Sequence, residues 1–208
     1  MIRIGASLLV CLYVAGFLTL SMLAARIMGR SVWLFGAGDP RQRWTGLAFR
    51  AAFLGALLWP GYRVWQGGSV GLFQSGLLSH SGVVSTLGAV LIAVGGSFAL
   101  VSQYHMGAAW RIGAAEGQQG QLVVTGPFRW SRNPVFVGQS GVFLGLLLVF
   151  PDPVQFAVTA VALLAIRAQV RIEERVLRAT FGAVYEDYAR RVPRWIGGVS
   201  SHIVPKRA

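Results

Sequence analysis

Residues 135–166 read VFVGQSGVFLGLLLVFPDPVQFAVTAVALLAI, and their only charged residue is Asp152. A membrane-crossing helix needs about 20 mostly apolar residues, so the block is too long for one straight span. Pro151-Asp152-Pro153 interrupts it. Proline fixes φ and lacks an N–H, so this triplet predicts a tight turn, and the block reads as a helical hairpin. Working outward, three more apolar stretches precede it: Ile4 to about Ala25, about Trp44 to Trp59, and about Gly82 to Val101. The second contains Arg50 and ends at Pro60-Gly61. The third is rich in small residues (Gly88, Ala93, Gly95, Gly96, Ser97), which lets membrane helices approach closely. The expected fold is an all-α integral membrane protein of about five transmembrane helices. It forms one domain over 1–208, with three spans in 1–102 and the chemistry in 103–197.

Composition points the same way. Hydrophobic residues make up 54% of the 208 and charged residues 12%, about half of what a soluble domain carries. The mean hydropathy is +0.58. These values exclude a soluble enzyme and a disordered chain, which needs low hydrophobicity. Cys11 is the only cysteine, so no intrachain disulfide or CxxC site exists. His80, His105 and His202 are far apart, which argues against zinc, and no metal is expected. The first span is longer than the apolar core of a signal peptide and reads as a retained helix.

The net charge is +12, from 18 arginines and one lysine against 7 acids. In a membrane protein this charge belongs at helix ends, against anionic lipid, so no nucleic-acid partner is expected. Arg26, Arg30, Arg41 and Arg43 follow span one; Arg111, Arg129 and Arg132 follow span three; Arg171, Arg175, Arg178, Arg190, Arg191, Arg194, Lys206 and Arg207 follow span five. The other side holds only Arg3 and Arg63. The positive-inside rule then places the C-terminus in the cytoplasm and the N-terminus outside. The arginine-over-lysine bias suits a GC-rich bacterial genome, hence the bacterial inner membrane. Segment 61–80 is expected outside, partly in the interface.

Two polar stretches could carry chemistry. Residues 103–134, QYHMGAAWRIGAAEGQQGQLVVTGPFRWSRNP, form a long connection, and such loops are usually functional or disordered. Pro134 suits the first turn of span four, Asn133 falls near its N-cap, and Arg129 and Arg132 could face lipid phosphate. The second stretch continues span five, from Ile166 to Arg178. Helical spacing puts Glu173 on the face of Ile166, Gln169, Val170 and Leu177, and Glu174 on the face of Arg167, Arg171 and Arg178. Glu173 is therefore expected to pack inward and Glu174 to be a salt-bridged surface acid. Gly182 should break the helix, and Tyr185 and Tyr188 could anchor an interfacial helix. His105 reads as a packing or capping residue.

Leu122-Val123, Gly126-Pro127-Phe128, Arg132-Asn133-Pro134-Val135-Phe136-Val137-Gly138, a hairpin, then Glu173-Glu174, Leu177, Phe181-Gly182, Tyr185, Tyr188 and Val192-Pro193-Arg194-Trp195 form an ordered set. It resembles the isoprenylcysteine carboxyl methyltransferase and phospholipid methyltransferase families over about residues 103–197. The resemblance implies a membrane methyltransferase using S-adenosylmethionine and a lipophilic or lipid substrate, with membrane lipids around it. By position it implies cofactor contacts from Gly120, Gln121, Leu122, Val123, Phe128, Asn133, Pro134, Val135, Phe136 and Glu173. Glu173, Glu174 and Arg171 are the implied catalytic candidates. The prenylcysteine enzymes have His where Asn133 stands, and their substrate-binding arginine aligns with Gln169; Arg167 or Arg171 could substitute from a neighbouring turn. The acceptor stays open between a carboxylate and an amine. Membrane sterol reductases using NADPH resemble the same half, and a non-enzymatic membrane protein is a third possibility. The Glu173-Glu174 pair favours methyl transfer.

Overall fold

The structure is a computed structural model that describes residues 1–29, 31–34, 41–66, 82–113 and 121–197. Six α-helices carry it: α1 Ile2–Met28, α2 Arg41–Trp65, α3 Gly82–Met106, α4 Pro134–Val149, α5 Pro153–Phe181 and α6 Ala183–Arg191. Two 3₁₀ turns, Gly107–Ala109 and Gly126–Arg129, lie between α3 and α4. Among the described residues no strand forms; one isolated bridge pairs Trp33 with Ile112. The fold class is the all-helical one expected. Three helical stretches are long and apolar enough to cross a membrane: Ile2–Met28, Gly82–Ala109 and Pro153–Phe181. α4 is apolar but has 16 residues.

The hairpin forms as its sequence dictates. α4 ends at Val149, and α5 starts at Pro153 with Asp152 as its N-cap. The Asp152 carboxylate accepts the Gln155 N–H at 3.0 Å and the Trp59 indole N–H at 3.0 Å. The Arg63 guanidinium lies 3.6 Å from it. This cluster corrects the expectation that the second span stops at Pro60. The helix runs on to Trp65 with Pro60 inside; the proline forfeits one backbone bond, and the added turn brings Arg63 to Asp152. Residues 67–80 of the segment expected outside lie beyond the described residues.

α3 and α4 meet through glycines. A Cβ at Gly88 would lie 2.7 Å from the Gly145 carbonyl oxygen, and one at Gly95 2.7 Å from that of Gly138. In each helix the two glycines are seven residues apart, which puts both on one face. Here the small-residue pattern of the third span does what it predicted. Phe53 of α2 centres an aromatic core, with Tyr13, Phe17, Phe49 and Phe143 around it.

Candidate active site

Past α3 the chain enters the site through a glycine. Gly126 has φ +56°, and a Cβ there would lie 2.6 Å from the His105 ring; only glycine suits both demands. His105 bonds Thr125 Oγ1 at 2.9 Å and is a packing residue away from the cavity. The following 3₁₀ turn buries Pro127 and Phe128. Pro134 then opens α4 at its first position, as expected.

The C-terminal tail clasps this loop. Glu174, 1% exposed, holds Arg132 Nε at 3.2 Å and Arg194 Nη2 at 2.8 Å. It also accepts a hydrogen bond from Asn133 Nδ2 at 3.2 Å. Arg132 donates further to the carbonyls of Ala189 (2.7 Å) and Val192 (3.2 Å). The Tyr188 hydroxyl donates to the Phe128 carbonyl at 2.7 Å. Burial pushes the Tyr185 hydroxyl up to about 12, with the Glu174 carboxylate adding to it, and burial raises Tyr188 likewise. Glu174 raises the Arg194 guanidinium above its ordinary value.

Three expectations are corrected by this clasp. Glu174 is ion-paired but is no surface acid, because its closest partners come from the loop and the tail rather than from its own helix; Arg178 stands 3.9 Å off. Arg132 faces Glu174 instead of lipid phosphate. Tyr185 and Tyr188 are buried and do not anchor an interfacial helix, since Gly182 turns α6 back onto the loop. Asn133 occupies the N-cap position of α4 but makes no side-chain cap bond. Its amide hydrogens go to Glu174 and to the Arg194 carbonyl.

Beside the clasp lies a cavity of about 430 Å³. Gln121, Leu122, Val123, Phe128, Asn133, Pro134, Val135, Phe136 and Glu173 all line it. Those are the expected cofactor contacts except Gly120, which lies outside the described residues. Glu173 sits half-buried on the wall and accepts a hydrogen bond from Gln169 Nε2 at 3.1 Å. Gln169 is itself fixed by α2: Thr45 Oγ1 donates to its Oε1 at 2.8 Å, and its Nε2 reaches Gln42 Oε1 at 3.4 Å. Arg171 is exposed and does not line the cavity. Two residues on from Gln169, it points about 200° around the helix. Arg167 is exposed as well, so neither arginine takes the place that Gln169 occupies.

The cavity has two characters. Arg111, Arg132, Asn133, Gln169 and Glu173 form a polar end; Val14, Phe17, Leu18, Phe49, Phe53, Leu54 and Leu57 form an apolar one. Gln139 lines the same wall and is buried, with its amide beside the Tyr13 hydroxyl. Reasoning from sequence noted Arg50 in the second span without joining it to the site, missed Gln139, Gln42 and Thr45, and did not foresee the pairing of Arg194 with Glu174. The motif contained Arg132 and Arg194, but no helical spacing connects residues 42 and 20 positions from Glu174.

Polar and apolar ends meeting beside a buried carboxylate suit an enzyme that brings a charged reagent to a greasy one. The family model for phospholipid methyltransferase matches residues 83–184. The sequence resemblance is matched there. The segment takes in α3, the loop, the hairpin and the Glu173-Glu174 pair, so it carries nearly the whole polar end of the cavity. The match makes these residues, just under half of the chain, similar to a membrane methyltransferase family. No curated protein and no solved structure matches the chain.

Proposed function

We propose that the protein transfers a methyl group from S-adenosylmethionine to a lipophilic acceptor drawn from the bilayer. One observation carries this reading: residues from the loop, the start of α4 and α5 meet on one cavity wall whose far end is apolar. The wall suits the cofactor chemically. Glu173 offers a carboxylate to an ammonium or sulfonium, the Asn133 side-chain oxygen offers an acceptor, and Leu122, Val123 and Phe128 offer apolar surface to an adenine. Bound there, the cofactor would supply an electrophilic methyl group on a positively charged sulfur.

The chain's own part is alignment and exclusion of water, the main demands of an in-line displacement. The clasp of Glu174, Arg132 and Arg194 closes the loop over the polar end. Phe49, Phe53 and Leu57 exclude water along the apolar end and hold an alkyl chain. A carboxylate acceptor needs no base; an amine acceptor needs its proton removed, and Glu173 is the carboxylate on the wall that can take it.

The test is a titration in detergent with S-adenosylhomocysteine and, separately, NADPH. S-adenosylhomocysteine is expected to bind and NADPH not to. Binding of NADPH alone would move the protein to the reductases, and binding of neither would leave a membrane protein without this chemistry.

A further inference from the structure

We infer that Arg50 of α2 is the residue that recognises the acceptor, by pairing with an anionic group carried next to its alkyl chain. The inference rests on the cavity being the acceptor site proposed above, and it assigns a role to a helix outside the matched 83–184 segment.

Elimination leads to Arg50. Arg132 is held by Glu174 and two carbonyls. Arg111 donates to the Ala109 carbonyl, and its charge acts on Glu173. The Gln169 amide is taken up by Thr45, Gln42 and Glu173. Arg50 lines the same cavity and, among the described residues, has no acidic partner and no hydrogen bond. It is exposed at the apolar end, among Leu18, Phe53, Leu54 and Leu57.

Its position is that of a mouth. Leu18 and Leu54 are 41% and 56% exposed while still lining the cavity, so the cavity opens between α1 and α2 at their level. Arg50 stands nine residues into α2, about 14 Å from its start at 1.5 Å per residue. Leu18 stands ten residues before the end of α1, about 15 Å by the same rise. An arginine at this depth, in an otherwise apolar mouth, is costly without an anion. A guanidinium binds carboxylate or phosphate through paired N–H donors. The ligand class is therefore an amphiphile whose carboxylate or phosphate meets Arg50 and whose chain lies on Leu54 and Leu57.

The experiment titrates dodecyl phosphate, dodecanoate and uncharged dodecylglycerol against the full chain in neutral-detergent micelles. Arg50→Gln is expected to weaken at least one anion roughly tenfold, the order for loss of a charge-assisted hydrogen bond, and to leave dodecylglycerol and S-adenosylhomocysteine unchanged. Loss for dodecyl phosphate alone points to a lipid phosphate, loss for dodecanoate alone to a carboxylate amphiphile; both support the site. Arg43→Gln, an exposed arginine on the same helix outside the cavity, should bind like the parent. Unchanged anion affinity in Arg50→Gln, an equal loss in Arg43→Gln, or an equal loss of dodecylglycerol overturns the inference. Arg50→Met keeps an apolar stem and carries the same test if the glutamine variant does not fold. If the parent fails to bind S-adenosylhomocysteine while anion binding still depends on Arg50, methyl transfer falls and the anion site stands.

Discussion

Glu173 and Glu174 are adjacent, about 100° apart on the helix, and end in different surroundings. Glu173 reaches the cavity wall, as the apolar spacing around it predicted. Glu174 was also legible as an ion-paired acid, but its burial was not, because the cations that bury it are brought in by the loop and the tail. The two should separate in experiment. Glu173→Gln keeps the shape and removes the charge facing the amino-acid ammonium that S-adenosylhomocysteine shares with the methyl donor, so affinity for it should fall roughly tenfold with little change in melting temperature. Glu174→Gln leaves Arg132 and Arg194 without their carboxylate. Breaking a buried pair costs about 3–5 kcal/mol, and since Arg194 is 39% exposed the loss should sit near the lower end. Thermal unfolding in detergent measures it. A Glu174→Gln protein that melts like the parent but no longer binds the cofactor analogue would move Glu174 from the clasp to the binding site.

At the scale of elements, turn chemistry and small-residue spacing read true, whereas helix ends set by distant partners did not. Pro151-Asp152-Pro153 makes its turn from local rules. The extension of α2 past Pro60 depends on Asp152, some 90 residues away, which no local pattern contains. The glycines of α3 and α4 allow a paired comparison. A methyl group on Gly138 would meet the Gly95 carbonyl and lie 2.7 Å from the Ala99 backbone nitrogen. Backbone cannot step aside, so Gly138→Ala should cost about 1–3 kcal/mol or more as overpacking. Gly61, inside α2, has nothing within 4 Å of its Cβ position. There alanine should instead stabilise by up to about 1 kcal/mol, the ordinary helix-interior difference. Melting temperatures of the two variants should move in opposite directions; a Gly138→Ala protein that melts no lower than the parent would mean that α3 and α4 do not meet at these glycines.

For the whole molecule, the question is which way it sits in the bilayer. The polar end of the cavity, the loop and the tail lie together at one end of the helices, and Arg111, Arg129, Arg132, Arg190, Arg191 and Arg194 crowd there. The hairpin turn at Asp152 sits at the other end with Arg63, and the Arg3 guanidinium approaches the Phe150 ring there at 6.0 Å. Short loops rich in arginine stay on the cytoplasmic side, so the cavity's polar end should face the cytoplasm and the N-terminus should lie outside. α4, with 16 residues or about 24 Å, falls short of a hydrocarbon core of about 30 Å. It is enclosed by α3 and α5, and with them it can cross as one member of a packed bundle rather than as an independent span. Five crossings then put the two ends on opposite sides. Reporter fusions at each terminus, one active only in the cytoplasm and one only outside it, measure this directly. The cytoplasmic reporter should work at the C-terminus and fail at the N-terminus. A working cytoplasmic reporter at both ends would make the number of crossings even, and α4 or α2 would then have to leave the membrane-spanning set.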